Sequence, residues 1–374
     1  MAKHLWLVFV FSVSACAQTF TVLDNFTSDH GAGHPIAGLL RDASGNLYGS
    51  AGGGTYGYGT IFELSPAGEE TVLYSFRGLL DGDGWEPTGL LRDKAGNFYG
   101  TTIMGGQGYC TCCGCGVVFK VDPTGTETVL YAFTGGTDGG RPMAGLVRDT
   151  AGNLYGTTRL GGDLSCDQLG EGCGTVFKVD TLGRETVLHS FGVGVDGKYP
   201  EGRLVQDSDG NFYGTTYAGG TSISGDGAGT VFKLSSTGKE TVLFNFIGSP
   251  TGAFPASALL READGTLYGT TLLGGAYSQG TVFKLTPDGK ETVLHSFNGL
   301  RGGGSLVSAL IQDKEGNFYG TTYLGGDTFG ICNDSGCGTV FKLTSRGGES
   351  VLYRFNEQGG VLGRLVASSA VDSG

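Results

Sequence analysis

The chain has 374 residues, a formal charge of −12 and 73 glycines, about a fifth of its length. So acidic a chain excludes a nucleic-acid partner, which needs clustered cations to meet phosphates. The glycines follow no three-residue period, which excludes collagen, and an aromatic content of 11% excludes a disordered chain.

The first element is an export leader. Lys3 and His4 precede the apolar run Leu5-Trp-Leu-Val-Phe-Val-Phe11, which is too short to span a bilayer. Two readings of its end fit. Ala15-Cys16-Ala17 forms an A-x-A cleavage site that closes a leader at residues 1–17, and Val13-Ser14-Ala15-Cys16 has the form of a lipobox that would acylate Cys16. Both take the mature chain out of the cytoplasm, to the periplasm, the cell surface or the medium. Membrane contact is expected only if Cys16 carries lipid.

From residue 20 to 366 one four-part phrase returns six times. A full copy reads Pro200-Glu-Gly-Arg-Leu-Val-Gln-Asp207, then Gly210-Asn-Phe-Tyr-Gly-Thr-Thr216, Gly229-Thr-Val-Phe-Lys-Leu234 and Glu240-Thr-Val-Leu-Phe-Asn-Phe246. The phenylalanine of the third phrase recurs at Phe62, Phe119, Phe177, Phe232, Phe283 and Phe341, a period of 51–58 residues. A period this long marks an array or a propeller. Each phrase is short, rich in Val, Leu, Thr, Tyr and Phe, and bounded by Gly, Asp, Asn or Pro, so the four phrases predict four strands, A to D. Strand D is expected to place Val242, Phe244 and Phe246 on one face. Most strands carry apolar residues on both faces, as a sheet packed between two neighbouring sheets requires. The expectation is therefore an all-β fold, a single β-propeller of four-stranded blades over 20–366 with a tail at 367–374. An orphan D strand at 21–26 and an orphan A strand at 363–366 flank the six complete units. The ring has six blades with accessory strands, or seven with the last incomplete.

The A–B turns are tight, as in Asp93-Lys-Ala-Gly-Asn97, and the C–D turns are equally short. Glycine supplies positive φ in them, and Asp and Asn bond back to the turn backbone. The B–C and D–A loops are longer and variable. In an antiparallel blade the two sets emerge on opposite faces, and function is expected on the variable one. There the loops carry Asp83, Trp85, Tyr109, Tyr199, Tyr277 and Phe329, a candidate face for a carbohydrate or protein ligand.

The residues also carry a resemblance. Gly-Asn-Leu-Tyr-Gly-Thr-Thr, Gly-Thr-Val-Phe-Lys-Leu and Glu-Thr-Val-Leu-Tyr-Ser-Phe, in this order and period, resemble the GloVer tandem repeat, named for Gloeobacter and Verrucomicrobia. The resemblance spans residues 20–366. It implies an exported bacterial repeat protein and brings no catalytic residues. The strand order is also similar to that of NHL-type propellers.

Eight cysteines remain after Cys16, an even number in an oxidising compartment. Cys115, Cys173 and Cys337 each precede the glycine that opens a strand C. The expected bridges are Cys166–Cys173 and Cys332–Cys337, with an internal bridge among Cys110, Cys112, Cys113 and Cys115. Four thiolates in that last run would alternatively suit a soft metal. His189 and His295 occupy a strand-D position held elsewhere by Tyr or Phe and read as packed rings, and His30 and His34 share a loop. No cofactor or metal is called for, and no residue is assigned a catalytic role. The expected function is non-enzymatic binding outside the cytoplasm. The alternative is a propeller hydrolase or lyase acting on extracellular carbohydrate or ester through acidic residues at the mouth, drawn from Asp81, Asp83, Asp138 and Asp196.

Overall fold

The computed structural model describes residues 37–355, with Leu23 and the backbone of 32–35, apart from 79–81, 109, 111–112, 193–194, 222–226, 300–301, 307 and 327–335. Among these residues the secondary structure is all strand and turn, in six antiparallel blades arranged as a propeller. In the fourth blade strand A is Val205–Gln206, B is Phe212–Thr216, C is Thr230–Leu234 and D is Glu240–Asn245. They pair in the order A-B-C-D, and the other blades repeat the pattern.

Register explains the repeated residues. Gly214 of strand B stands opposite Phe232 of strand C. A Cβ on Gly214 would fall 2.6 Å from Phe232 Cζ and 3.0 Å from Leu204 Cδ2, so the glycine is what lets the phenyl ring lie across the strand. The equivalent rings of the other blades, from Phe62 to Phe341, are likewise fully buried.

Strand D differs from the expectation. Its pairing with strand C slips by one residue: Phe232 faces Val242, but Val231 faces Phe244, leaving Leu243 as a bulge. Val242 and Phe244 therefore point to opposite faces, because paired residues share a face and Val231 and Phe232 alternate. Phe244 and Phe246 keep a common face and meet edge-on, their ring centroids 5.1 Å apart. The bulge also presents the Leu243 carbonyl toward Gly289, in the C–D turn of the next blade.

Each blade then hands a phenylalanine forward. Phe76 meets Phe119, Phe133 meets Phe177, Phe191 meets Phe232, Phe246 meets Phe283 and Phe297 meets Phe341, all edge-on at about 5 Å. Among the described residues the core comprises five apolar seams between successive blades and a smaller cluster of Ala51, Phe62 and Leu64 in the first blade. The orphan strands at 21–26 and 363–366 lie outside the described residues, Leu23 excepted. Its carbonyl stands 3.0 Å from the point a Cβ on Gly68 would take, as the Leu73 carbonyl does at Gly125. Leu23 thus holds against the first blade the place that Leu73 holds against the second.

Two turn devices finish the blades. In the A–B turns the aspartate accepts from its own turn, as the sequence predicts: Asp207 Oδ1 accepts from the backbone N–H groups of Asp209 and Asn211, and Oδ2 from the Asn211 side chain. Tyr213 adds a hydroxyl to the same oxygen at 3.0 Å, and Arg261 of the next blade covers its ring at 5.3 Å. On the opposite face, single parallel bridges close several B–C loops at their necks, Gly105 with Gly114, Gly161 with Gly172 and Gly219 with Gly227.

Candidate functional site

The loop face is organised by a D–A loop residue that in four of five cases stands just before a proline, at Pro87, Pro142, Pro200 and Pro255. In the D–A loops, Glu86, Arg141, Tyr199, Phe254 and Ser305 all adopt the left-handed conformation, with φ between 52° and 59°. None is glycine, and the conformation is uncommon for such side chains. Each is held by the same bond: its N–H donates to the carbonyl just before the glycine that opens the preceding blade's strand C, as Tyr199 does to Cys173 at 2.8 Å. Its own carbonyl, in the last four of these loops, accepts from the residue after strand B, as Tyr199 does from the Tyr217 N–H at 2.9 Å. Four units thereby set a pair of variable side chains side by side: Arg141 with Arg159, Tyr199 with Tyr217, Phe254 with Leu272 and Ser305 with Tyr323.

Over the third to fifth blades these pairs bound two adjoining clefts. One, of about 710 Å³, is lined by Arg141, Arg159, Asp167, Glu171, Lys198 and Tyr199, among others. The second, of about 520 Å³, shares Arg159 and Tyr199 and continues over Tyr217, Ile247 and Phe254. Arg159 sits 5.6 Å from the centre of the Tyr199 ring and 3.3 Å from Glu201. Tyr217 and Phe254 stack at 4.9 Å with their planes 23° apart. The cleft is therefore a row of aromatic faces edged by guanidinium, ammonium, amide and carboxylate groups.

A disulfide forms one wall. Cys166 and Cys173 are joined, with an S–S distance of 2.00 Å, and Cys166 lines the larger cleft. Cys110 is joined to Cys115, and Cys113 and Cys337 are also disulfide-bonded. Cys112 and Cys332 lie outside the described residues. Thiol counting on denatured, unreduced protein is expected to find almost no free sulfhydryl; several titratable thiols would contradict this pairing.

The residues expected on the binding face separate. Tyr199 lies at the centre of the clefts and Tyr277 is 62% exposed in its own loop. Trp85 is half-buried, its ring edge-on to Tyr58 at 5.6 Å. Asp83 departs from the expectation. It is buried, accepts from the Tyr74 hydroxyl at 2.7 Å and from the Arg77 N–H, and so pins its own loop instead of facing a ligand. Tyr109 and Phe329 lie outside the described residues. Asp138 and Asp196 repeat the role of Asp83, with Tyr131 and His189 as partners, so these acids sit one to a seam. His189 and His295 are packed as expected, each edge-on to the phenylalanine two residues on.

The acids of the rim share a second feature. The glutamate that opens strand D enters the seam with the preceding blade. Oε1 of Glu127, Glu185, Glu240, Glu291 and Glu349 is enclosed and accepts no hydrogen bond. Burial, reinforced by Asp83, pushes Glu127 up to about 8. Burial likewise pushes Glu185 and Glu240 up to about 7, aided by Asp138 and Asp196, and Glu291 to about 7 on its own.

Fold and face together define a repeat propeller with a recurring blade architecture and an individual loop surface. The chain belongs to the family of the Gloeobacter/Verrucomicrobia repeat, whose model matches residues 8–226 and 166–372. No curated protein sequence matches it. Among solved structures, the extracellular domain of a provisionally described one-component system from B. thetaiotaomicron is similar in fold, with 16% identity and a TM-score of 0.53, over 88% of this chain and 36% of that one. A luciferin-regenerating enzyme aligns with 12% identity and a TM-score of 0.49, over 91% of this chain and 97% of that one.

Proposed function

We propose that this protein is an exported binding propeller whose ligand, an extracellular carbohydrate chain, lies in the clefts across the third to fifth blades. One observation carries the reading. The left-handed D–A residues set Tyr199, Tyr217 and Phe254 side by side, with Arg141, Arg159, Lys198, Asp167 and Glu171 along the edge. Aromatic faces cover the apolar face of a sugar ring at low entropic cost, and mixed donors and acceptors meet its hydroxyls. Export rests on the apolar leader and on the disulfides, which persist in oxidising compartments. The acids of the D–A loops lie outside the two clefts and are engaged with their own loops, which favours binding in the clefts over hydrolysis by those acids.

A screen of extracellular glycans, followed by calorimetry on the best binder, tests this. Tyr199→Ala and Arg159→Ala should each weaken binding about tenfold or more, as central anchors of an interface do. Lys94→Ala, in an A–B turn on the opposite face, should leave it unchanged. Loss of binding with Lys94→Ala but not with Tyr199→Ala would place the ligand on the wrong side of the disc.

A further inference from the structure

The rim between the third and fourth blades brings together donors that the binding clefts do not use. His189 is in strand D of the third blade, Asp196 is in the loop that follows, and Glu240 opens strand D of the fourth. One donor atom from each lies within 4.8 Å of the other two. His189 Nε2 and Asp196 Oδ2 are 3.2 Å apart. Glu240 Oε1 is enclosed and accepts no hydrogen bond.

The other seams serve as internal comparisons. In the first two, a tyrosine stands where His189 stands, and its hydroxyl donates to the loop aspartate, Tyr74 to Asp83 and Tyr131 to Asp138. A phenol there satisfies the carboxylate and offers no nitrogen. In the fifth, His295 Nε2 lies 3.7 Å from Glu349 Oε2, but Gly302 replaces the loop aspartate. In the fourth, Phe244 and Thr251 take the two positions. Among the described residues, the third seam alone combines an imidazole with two carboxylates.

We propose that His189, Asp196 and Glu240 form a site for one divalent transition cation of the zinc type, which joins the third blade to the fourth. The donor set is one nitrogen and two carboxylate oxygens, which suits zinc; calcium and magnesium take six or more oxygens. Tetrahedral bonds of about 2.0–2.1 Å place neighbouring donors about 3.3 Å apart, close to the His189–Asp196 spacing. A hydrogen bond also spans that distance, and it is Glu240 as a third donor that sets the cluster apart from a simple His–Asp contact. A cation held between the two adjacent carboxylates offsets their charge. The His189 and Asp196 side chains are 19% and 21% exposed, so an ion reaches them from solvent. Three protein ligands leave a fourth position for water.

The test is calorimetric titration of the metal-stripped, fully oxidised protein with zinc at neutral pH, with cobalt absorbance as a second readout. The oxidised state removes the thiolates of the Cys110–Cys115 loop from competition. One ion per chain is expected. His189→Tyr, which rebuilds the arrangement of the first two seams, should weaken binding at least tenfold with the fold intact by circular dichroism, and Asp196→Asn should act in the same direction. His295→Tyr and the double change His30→Gln, His34→Gln should leave it unaltered. Zinc should raise the melting temperature of the wild type and not that of His189→Tyr. Absence of binding at millimolar zinc, or equal binding by the wild type and both third-seam variants, overturns the proposal. So does a loss produced by His295→Tyr or by the His30/His34 change.

Discussion

Replacing Phe232 by alanine is expected to cost about 3–5 kcal/mol of stability, the range for truncating a buried phenylalanine. The ring is fully buried, lies over Gly214 on its own strand B and receives Phe191 from the third blade at 5.2 Å. Its removal opens a cavity that neither neighbour can fill. Gly214 has no side chain to swing in, and Phe191 is fixed between the two sheets. The denaturant midpoint measures the effect. Leu182→Ser, at a position 72% exposed in a C–D turn, should move that midpoint by less than about 0.5 kcal/mol equivalent. Similar losses at the two positions would mean that the seams do not carry the fold.

The second large effect is on pH. Glu127, Glu185, Glu240 and Glu291 are pushed from an ordinary 4.5 to about 7–8 in the folded chain. The fold therefore favours their protonated forms. That contribution is complete below about 4.5 and is lost as pH rises through 7 to 8. The turn aspartates act in the opposite sense. Hydrogen bonds from their own turns hold Asp42, Asp93, Asp149 and Asp207 below the usual carboxylate range against the opposing effect of burial, so what they contribute is lost as pH falls below about 3.8. Stability should peak near pH 4.5–5. Partial solvent access screens the rim glutamates, so the fall in Tm from pH 5 to pH 8.5 is expected to be on the order of 5 °C in metal-free protein. Scanning calorimetry of the wild type and Glu127→Gln checks both sign and source. The variant should lose less than the wild type over that interval, and a Tm that climbs between pH 5 and 8.5 would refute the assignment.

Much of the architecture is legible in the sequence because each blade repeats its geometric requirements in residue types. Gly214 opposite Phe232, and Asp207 three residues before Gly210, say what the backbone must do wherever they recur. The bulge at Leu243 is not legible, since it adds a residue to strand D in every unit and therefore breaks no repeat. The binding face is only half legible. Tyr199 stands out as an aromatic loop residue, but Arg141, Phe254 and Ser305 share its left-handed backbone without sharing a residue type. The conformation is held by a backbone hydrogen bond across the seam, and its local mark is the proline that follows four of the five residues, not the residue itself. Asp83 was expected beside Trp85 on the surface. Only the fold shows that Tyr74, nine residues earlier, returns to bond it.

The necks of the B–C loops have a consequence for how such a protein diversifies. Gly161 and Gly172 meet at the base of a loop that holds a disulfide, and Gly219 and Gly227 meet in the same way at the base of one that holds none. Beyond the pinch the loops keep a few contacts with the blade, as Cys166 does in the seam core and Thr221 does by donating its N–H to the Asn245 side chain. Because the neck itself fixes the ends of strands B and C, differences in loop length are expected to fall beyond it. The disc is thus a socket panel, and a family built on it can exchange recognition elements one blade at a time.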